Sequence, residues 1–316
     1  MNQLKSIARR VMTERGLLPD FSAVVVTEVS ALREGPLASG PAIRDLRDLL
    51  WASIDNDSSR DLDQLSVAEK MADGAVKVFV AVADVDAIVK RHSAVDDHAQ
   101  TNTTSVYTAA AIFPMLPERL STDLTSLGEN RDRLAIVIEM VVAADGTLKT
   151  SEIYRAAVRN HAKLAYNALA AWLDGSAPVP PKVAAVPGLV EQMQLQDQVA
   201  QVMRKLRYQH GALSLRTPEA AAVFKGDELT DLIPDEANRA KELIEDLMVA
   251  ANGVTARYLA QQGVPSLRRA LRSPERWGRI MAPALSRCNR GCAVSTKTPK
   301  TLIWLVVWQS RREACS

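Results

Sequence analysis

Two strand-like segments around a tight turn constrain the fold of this chain most. Residues 134 to 143 are strongly apolar, Asp145-Gly146 follows, and residues 147 to 154 return with strand-forming side chains. An Asp-Gly turn between two such segments predicts an antiparallel hairpin. Upstream, valines alternate over residues 76 to 82, which predicts a further strand, and we expect this strand to lead into a helix beginning about Asp86. These strands require a sheet with at least one buried face.

Helical patterns occupy most of the second half of the chain. Residues 163 to 173 predict a helix that ends near Gly175, and the apolar spacing over 195 to 206 predicts a longer one. A third helix is predicted from about 235 to 262, with Ala240, Leu243, Leu247, Ala251 and Val254 facing inward. Before it, a small hairpin closed at Gly226-Asp227 is predicted. Strand pairs combined with long helices indicate an α+β fold with a mixed sheet.

We expect three segments along the chain. Residues 1–45 predict a short helical lead-in with Ile7, Val11 and Leu17 as a sparse apolar stripe. Residues 46–280 form one domain, in which the proline-rich stretch over 178 to 187 is the best internal boundary. The remaining tail is basic and is expected to be poorly ordered.

Carboxylates cluster in residues 54 to 65, where Asp55, Asp57, Asp61 and Asp63 fall within nine positions. Like charges this close repel one another unless a cation neutralises them. Mg²⁺ is a suitable cation because it takes oxygen ligands and leaves positions for water and phosphate. The cluster therefore predicts either a site for metal-assisted phosphoryl transfer or a solvated acidic loop.

A calcium-binding loop is excluded by position. Counted from Asp55, the sharp-turn position that requires glycine holds Arg60, and the closing position that requires glutamate holds Ser66.

A series of short motifs accompanies the cluster. Ile54-Asp55 is followed by Asp-Leu-Asp at 61–63, and then come VADV at 82–85, SVY at 105–107, PMLP at 114–117, SL at 126–127, AKLAY at 162–166, HGAL at 210–213 and LIEDLM at 243–248. In order and number these motifs resemble the ribonuclease II / ribonuclease R family, the RNB exoribonucleases. The resemblance covers roughly residues 45 to 280.

This resemblance implies an RNB-like catalytic domain with hydrolytic 3′-to-5′ exoribonuclease activity. The substrate would be single-stranded RNA, the cofactor Mg²⁺ and the products nucleoside monophosphates. By resemblance, Asp55, Asp61 and Asp63 are the catalytic residues, and together with Gln64 they are the expected metal ligands. Asp55 binds the metal, Asp61 assists, and Asp63 positions or activates the attacking water.

The resemblance also implies RNA contacts. Tyr166 matches a tyrosine that stacks on the 3′-terminal base, and stacking suits an enzyme that accepts any sequence. Glu245 matches a glutamate near the terminal ribose, and Lys163 is a candidate for backbone phosphates. The matching position for a second stacking aromatic falls at Leu215, which is not aromatic.

Two departures from the family pattern affect the expected activity. Gln64 stands where the family has a further metal-binding aspartate, and a glutamine carbonyl can bind magnesium but brings no charge. A later family segment with a phosphate-contacting arginine has no match, so we expect a catalytic domain that is incomplete at its C-terminus. The alternatives are an RNA-binding but catalytically impaired chain, or an unstable fragment.

The composition changes sharply near the end of the chain. Residues 281–316 carry a net charge of +5, which leaves −3 on the rest, and they contain all three cysteines, Cys288, Cys292 and Cys315. We interpret this tail as out-of-frame translation or as a basic RNA-binding segment, whereas a zinc site lacks suitable ligands. None of the four histidines shows ligand spacing.

The cysteine-free main body indicates a cytoplasmic protein. The longest late apolar run is residues 302 to 308, so no membrane association is expected. We expect a monomer without a small-molecule cofactor.

Overall fold

The computed structural model describes residues 2–33, 43–108, 110–212, 220–225, 228–234 and 237–266. The helices are α1 (Asn2–Glu14), α2 (Ala23–Ala31), α3 (Ala94–Asn102), α4 (Tyr166–Leu173), α5 (Pro181–Ala184), α6 (Leu189–Gln209) and α7 (Arg239–Gln261). The strands are β1 (Ile43–Asp45), β2 (Ala52–Asp55), β3 (Gln64–Lys70), β4 (Val76–Ala83), β5 (Val106–Tyr107), β6 (Ile112–Phe113), β7 (Asp132–Val142), β8 (Leu148–Arg159), β9 (Ala162–Ala165), β10 (Ala220–Lys225) and β11 (Glu228–Pro234).

A seven-stranded mixed sheet in the order β1-β8-β7-β4-β3-β2-β9 forms the centre of the fold. Strands β1 and β8 pair in parallel, as do β2 and β9, and the other neighbours are antiparallel. The predicted α+β class and the predicted hairpin, β7 with β8, are confirmed. Its turn needs Gly146, whose φ is +89°.

Helices cover one face of the sheet and form the main core. Leu169 of α4, Met193 of α6 and Leu243 of α7 pack in the same buried cluster as Val80 and Ile138 of the sheet. The buried face predicted for α7 is confirmed, because Ala240, Leu243, Leu247, Ala251 and Val254 are all buried.

The proline-rich stretch does not separate two cores. Val183 of α5, within that stretch, is fully buried in the cluster under the helices. The sheet strands before the stretch and α6 after it therefore share one interior.

The opposite face of the sheet is covered near its centre by the segment that precedes β2. Trp51 is fully buried there and meets Phe79 of β4 edge-on, with ring centroids 6.1 Å apart. Its indole N–H donates to the carbonyl of Leu46 over 2.7 Å. This packing fixes the start of β2, which leads to the acidic residues.

The N-terminal helices are present as predicted, but the apolar stripe of α1 does not face the domain. Ile7 and Val11 are exposed, whereas Met12 is buried. Helix α2 packs more closely, because Val25 and Val29 join a buried cluster with residues of α3 and of the segment before β7.

Two helix boundaries differ from the sequence prediction. The helix expected near Asp86 is a single 3₁₀ turn (Val85–Ala87). Helix α3 begins only at Ala94, because His92 takes a φ of +61° and Ser93 caps the helix by accepting a hydrogen bond from the Asp96 N–H. Helix α7 begins at Arg239, where Asn238 caps it.

The helix predicted from residue 163 is wrong at its start. Residues Ala162–Ala165 form β9, because pairing with β2 satisfies their backbone groups, and α4 starts at Tyr166.

The small hairpin expected before α7 is confirmed as β10 with β11. Its turn residues Gly226 and Asp227, together with Leu215 and the tail 281–316, lie outside the described residues. Among the described residues, no helix combines the length and apolar character needed to cross a bilayer.

Candidate active site

The acidic residues lie where two neighbouring strands part. Strands β2 and β3 are adjacent, yet their pairing is confined to Ala52 with Ser66. Beyond this pair, β2 runs on to Asp55 on one side and β3 begins after Asp63 on the other. The backbone between them, residues 56–63, is the acidic loop. The side chains of Asp55 and Gln64 therefore lie beyond the paired part of these two strands rather than in a continuous ladder.

The carboxylates of this region differ in exposure. Asp55 is 6% exposed, and its Oδ1 accepts a 2.7 Å hydrogen bond from the Asn56 N–H. Asp63 is half-buried, and its carbonyl accepts a bond from the Ala83 N–H of β4. Asp57 and Asp61 are exposed. The structure thus places Asp55 and Asp63 at the ends of adjacent strands, with Asp61 on the outer side of the loop.

Gln64 is a buried amide directly after Asp63. The residue is 4% exposed, and neither Oε1 nor Nε2 forms a hydrogen bond to any described residue. Its neighbour on the same face, Ser66, donates a 2.6 Å bond to Gln196 of α6. An unsatisfied buried amide is costly, and natural proteins retain few of them. Such an amide beside carboxylates therefore indicates a position that a polar ligand completes.

The donor atoms available here suit a hard cation. Asp55 and Asp63 offer carboxylate oxygens and Gln64 an amide oxygen, which are ligand types that Mg²⁺ accepts. Within the described ranges, however, the only group of three or more acidic, histidine or cysteine side chains with ligand atoms within 4.8 Å of one another is His92, Asp96 and Asp97. A cation at the acidic loop would thus take further oxygens from water or phosphate.

The histidine spacing in the sequence did not predict that histidine-containing group, which differs from the expectation that no histidine has ligand spacing. It forms around the first turn of α3, where Asp96 Oδ2 accepts a 2.8 Å bond from the His92 N–H. The spacing of four residues between His92 and Asp96 was the available signal.

Lys163 holds the acidic loop rather than lying on a helix. It belongs to β9, opposite Ser53, and its ammonium group donates a 2.7 Å bond to the carbonyl of Asp57. Its backbone N–H donates to Glu129, which also pairs with Lys182. The Lys163 ammonium group thus lies at the first half of the acidic loop.

Tyr166 is close to Asp55 through the sheet. Ala165 is the register partner of Asp55 in the parallel pair β2–β9, and Tyr166 is the next residue and the first of α4. The tyrosine is 8% exposed. The structure therefore brings this predicted RNA-binding residue to the same end of β2 as the predicted metal ligand.

Glu245 is on α7 and faces solvent. One of its carboxylate oxygens lies 3.8 Å from the guanidinium of Arg207 on α6. The adjacent Asp246 is buried and receives bonds from Arg204 and Arg207, of 2.7 and 2.5 Å. Burial raises the pKa of Asp246 to about 6. These pairs join α6 to α7, and they are the contacts observed around Glu245.

Comparisons with known proteins identify a matching family model and several similar proteins. A family model described as "RNB domain" matches residues 43–289. Ribonuclease R of Aquifex aeolicus (strain VF5) is 32% identical over 274 residues, which are 86% of this chain and 38% of that protein. Ribonuclease R of Escherichia coli (strain K12) is 34% identical over 245 residues, 77% of this chain and 30% of that protein. The chain thus spans between 30% and 38% of these two relatives.

A solved structure of Mycoplasma genitalium RNase R in complex with ribose-methylated single-stranded RNA superposes with a TM-score of 0.78. The match has 22% sequence identity and covers 94% of this chain and 46% of that one. At this identity the likeness shows a common fold.

Proposed function

This chain belongs to the RNB-domain family, and from that premise we propose that it is a hydrolytic 3′-to-5′ exoribonuclease. It shortens single-stranded RNA with Mg²⁺ and releases nucleoside monophosphates. The observation that supports this most is the donor set at the ends of β2 and β3, in which the buried amide of Gln64, unsatisfied among the described residues, directly follows Asp63, and Asp55 ends the neighbouring strand.

The residues of the site have different proposed roles. Asp55, Asp63 and Gln64 would hold the cation, which supplies polarisation of the scissile phosphate and activation of water. Asp63 orients the attacking water and accepts its proton, and Asp61 assists from the outer side of the loop. Two carboxylates alone would repel an RNA phosphate, so their negative charge has to be offset before the substrate binds.

RNA binding rests on Tyr166 and Lys163 near the end of β2, and on Glu245 of α7. Tyr166 stacks on the 3′-terminal base, and because every base has a π-face this contact is tolerant of sequence. Lys163 uses one N–H for Asp57 and has others for a backbone phosphate. Glu245 accepts a hydrogen bond from a hydroxyl group of the terminal ribose after the Glu245 carboxylate separates from Arg207.

A degradation assay tests the proposal. The purified chain is incubated with 5′-end-labelled single-stranded RNA and Mg²⁺, and the products are resolved at single-nucleotide resolution. We expect a ladder that shortens stepwise from the 3′ end. Asp63→Asn should reduce the rate by about 100-fold or more, as expected for loss of a group that handles a proton. Asp73→Asn, in the exposed β3–β4 turn, is the matched control and should retain the rate.

If the chain retards the labelled RNA in a native gel but does not shorten it, the result would instead support an RNA-binding chain without turnover. The uncharged Gln64 favours this second candidate, because one negative charge fewer at the site lowers the affinity for Mg²⁺. Shortening that persists undiminished in Asp63→Asn would contradict the catalytic assignment.

We also propose that the chain works as a monomer in the cytoplasm, without a small-molecule cofactor. The absence of cysteine in residues 1 to 287 supports the cytoplasmic location. Size-exclusion chromatography with light scattering tests the oligomeric state, fractionation of cells tests the location, and activity of the purified chain with RNA and Mg²⁺ alone tests the third statement.

A further inference from the structure

We infer that Ser126 is a positioning residue, which fixes the second half of the acidic loop and thereby the placement of Asp61 and Asp63. Ser126 does not belong to the acidic loop and lies far from it in sequence. Its hydroxyl nevertheless donates a 3.0 Å hydrogen bond to the Arg60 carbonyl and accepts a 3.2 Å bond from the Leu62 N–H. The inference rests on the proposed function for its catalytic meaning.

The two bonds of Ser126 bracket Asp61. One goes to the residue before it and one to the residue after it, so the backbone on both sides of Asp61 is held by a single hydroxyl. The next backbone group is held as well, because the Leu127 N–H donates a 2.7 Å bond to the Leu62 carbonyl. Asp63 follows directly, and its carbonyl is bonded to the Ala83 N–H. The direction in which Asp61 and Asp63 leave the backbone is therefore set by contacts on either side.

Burial makes the two hydrogen bonds of Ser126 difficult to replace. Ser126 is 5% exposed, and Leu62 and Leu127 are both buried beside it. Water is largely excluded, so a backbone group released by loss of the hydroxyl has few replacement partners. The loop would have to shift to recover them, and the carboxylates would shift with it.

Ser126 is itself held by the sheet. Arg133, a buried residue of β7, donates through Nε to the Ser126 carbonyl over 3.1 Å and through Nη2 to the Asp123 carbonyl over 3.2 Å. A chain of contacts thus runs from β7 through Ser126 to the acidic loop. Active-site groups need such support, because small displacements of a reacting group lower the rate steeply.

A neighbouring residue provides a matched control. Thr125 is equally buried at 5% exposure, and its hydroxyl donates a 2.9 Å bond to the Leu120 carbonyl. That bond stabilises the preceding turn and makes no contact with the acidic loop. Thr125→Val and Ser126→Ala therefore each remove one buried hydroxyl, but only the second releases the loop.

The experiment compares the wild type, Ser126→Ala, Ser126→Thr and Thr125→Val in four measurements. These are melting temperature, hydrogen exchange of residues 56–63, RNA affinity with Ca²⁺ in place of Mg²⁺, and the Mg²⁺ dependence of single-turnover cleavage. For Ser126→Ala we expect exchange in the loop to rise at least 10-fold. The cleavage rate should fall at least 10-fold, the half-saturating Mg²⁺ concentration should rise several-fold, and RNA affinity should stay within 2-fold.

Ser126→Thr keeps the hydroxyl and should restore all values to within about 3-fold of the wild type, which also covers the case that Ser126→Ala fails to fold. Thr125→Val should change the melting temperature, but not the hydrogen exchange of residues 56–63 or the Mg²⁺ dependence of cleavage. Equal effects of Ser126→Ala and Thr125→Val on exchange and Mg²⁺ dependence would overturn the inference. A wild type that cleaves no RNA would refute the proposed function instead, and the exchange measurement would still decide whether Ser126 holds the loop.

Discussion

Gln192 of α6 binds the backbone of Ala68 in β3 at both the N–H and the carbonyl group. The Ala68 N–H donates to Gln192 Oε1 over 2.7 Å, and Gln192 Nε2 donates to the Ala68 carbonyl. One turn further along α6, Gln196 accepts from the Ser66 hydroxyl. Helix side chains thus occupy the edge of β3 where a neighbouring strand would otherwise pair, and β2 pairs there only at Ser66. This arrangement stabilises β3, the strand that begins directly after Asp63.

Replacing Gln192 should therefore destabilise the domain. Gln192→Ala leaves two backbone groups of Ala68 without partners, and each unsatisfied buried group costs about 1–3 kcal/mol. We expect the free energy of unfolding to fall by about 2 kcal/mol or more in urea denaturation. Gln198→Ala, at an exposed position of the same helix, is the control and should change it by less than about 0.5 kcal/mol. Equal losses in both variants would show that the paired bonds to Ala68 contribute nothing.

Gly146 should tolerate no side chain. Its φ is +89°, and a Cβ there would lie 2.8 Å from the carbonyl oxygen of Val202 in α6. Gly146→Ala therefore combines backbone strain with a collision against helix backbone. Gly175→Ala, with a φ of +75° and open space around it, has the strain alone.

Strain alone should cost about 1 kcal/mol or somewhat more, so we expect Gly175→Ala to be mildly destabilising. Gly146→Ala should lower the melting temperature clearly further, since β7–β8 and α6 must move apart. Calorimetry of both variants measures the difference, and similar melting temperatures would mean that α6 adapts without cost.

The sequence was sufficient for local features of the fold and for the residue types of the site. The β7–β8 hairpin is predictable because its strands adjoin in the chain, and α7 because its apolar spacing is regular. Strand β9 is not, because Ala162–Ala165 is short, runs straight into α4 and owes its conformation to pairing with β2. The proximity of Tyr166 to Asp55 depends on the same non-local pairing.

The site shows the same division. Asp55, Asp61 and Asp63 stand out in the sequence because carboxylates cluster there. Two features cannot be seen in the sequence: the lack of a hydrogen bond at the Gln64 amide among the described residues, and the bonds from Ser126 to the acidic loop. Both depend on which groups meet after folding.

Gln64 should lower stability in the absence of metal. Its amide is buried without a hydrogen bond among the described residues, and replacement by an apolar side chain of similar size removes that penalty. We expect Gln64→Met to raise the free energy of unfolding by about 1–3 kcal/mol in EDTA. The added stability conferred by Mg²⁺ on the wild type should be reduced in this variant, because one ligand is lost.

The control is Gln194→Met on the exposed face of α6, which should leave both values unchanged. A Gln64→Met variant that is less stable than the wild type in EDTA would show that the amide has a partner in solution.

His98 should make the domain sensitive to acid. It is buried in α3, its ring lies 4.5 Å from that of Phe21, and burial lowers its pKa from the usual 6.5. Asn102 Nδ2 lies 3.2 Å from His98 Nε2 and also donates to the Leu18 carbonyl, so Nε2 accepts and the imidazole is neutral. Protonation of His98 Nε2 would place its N–H opposite the side-chain N–H of Asn102, so two hydrogen-bond donors would face each other in a buried position.

The unfolded chain binds a proton near pH 6.5, whereas the folded domain binds it only at lower pH. Stability from His98 is therefore complete above pH 6.5 and is lost as the pH falls from there through the folded pKa. We expect the unfolding free energy of the wild type to decline over this interval more steeply than that of His98→Gln, which cannot titrate. Urea denaturation at a series of pH values measures the two slopes. Other acid-sensitive groups are common to both proteins and cancel in the comparison, so parallel slopes would mean that His98 is protonated equally well in the folded and unfolded states.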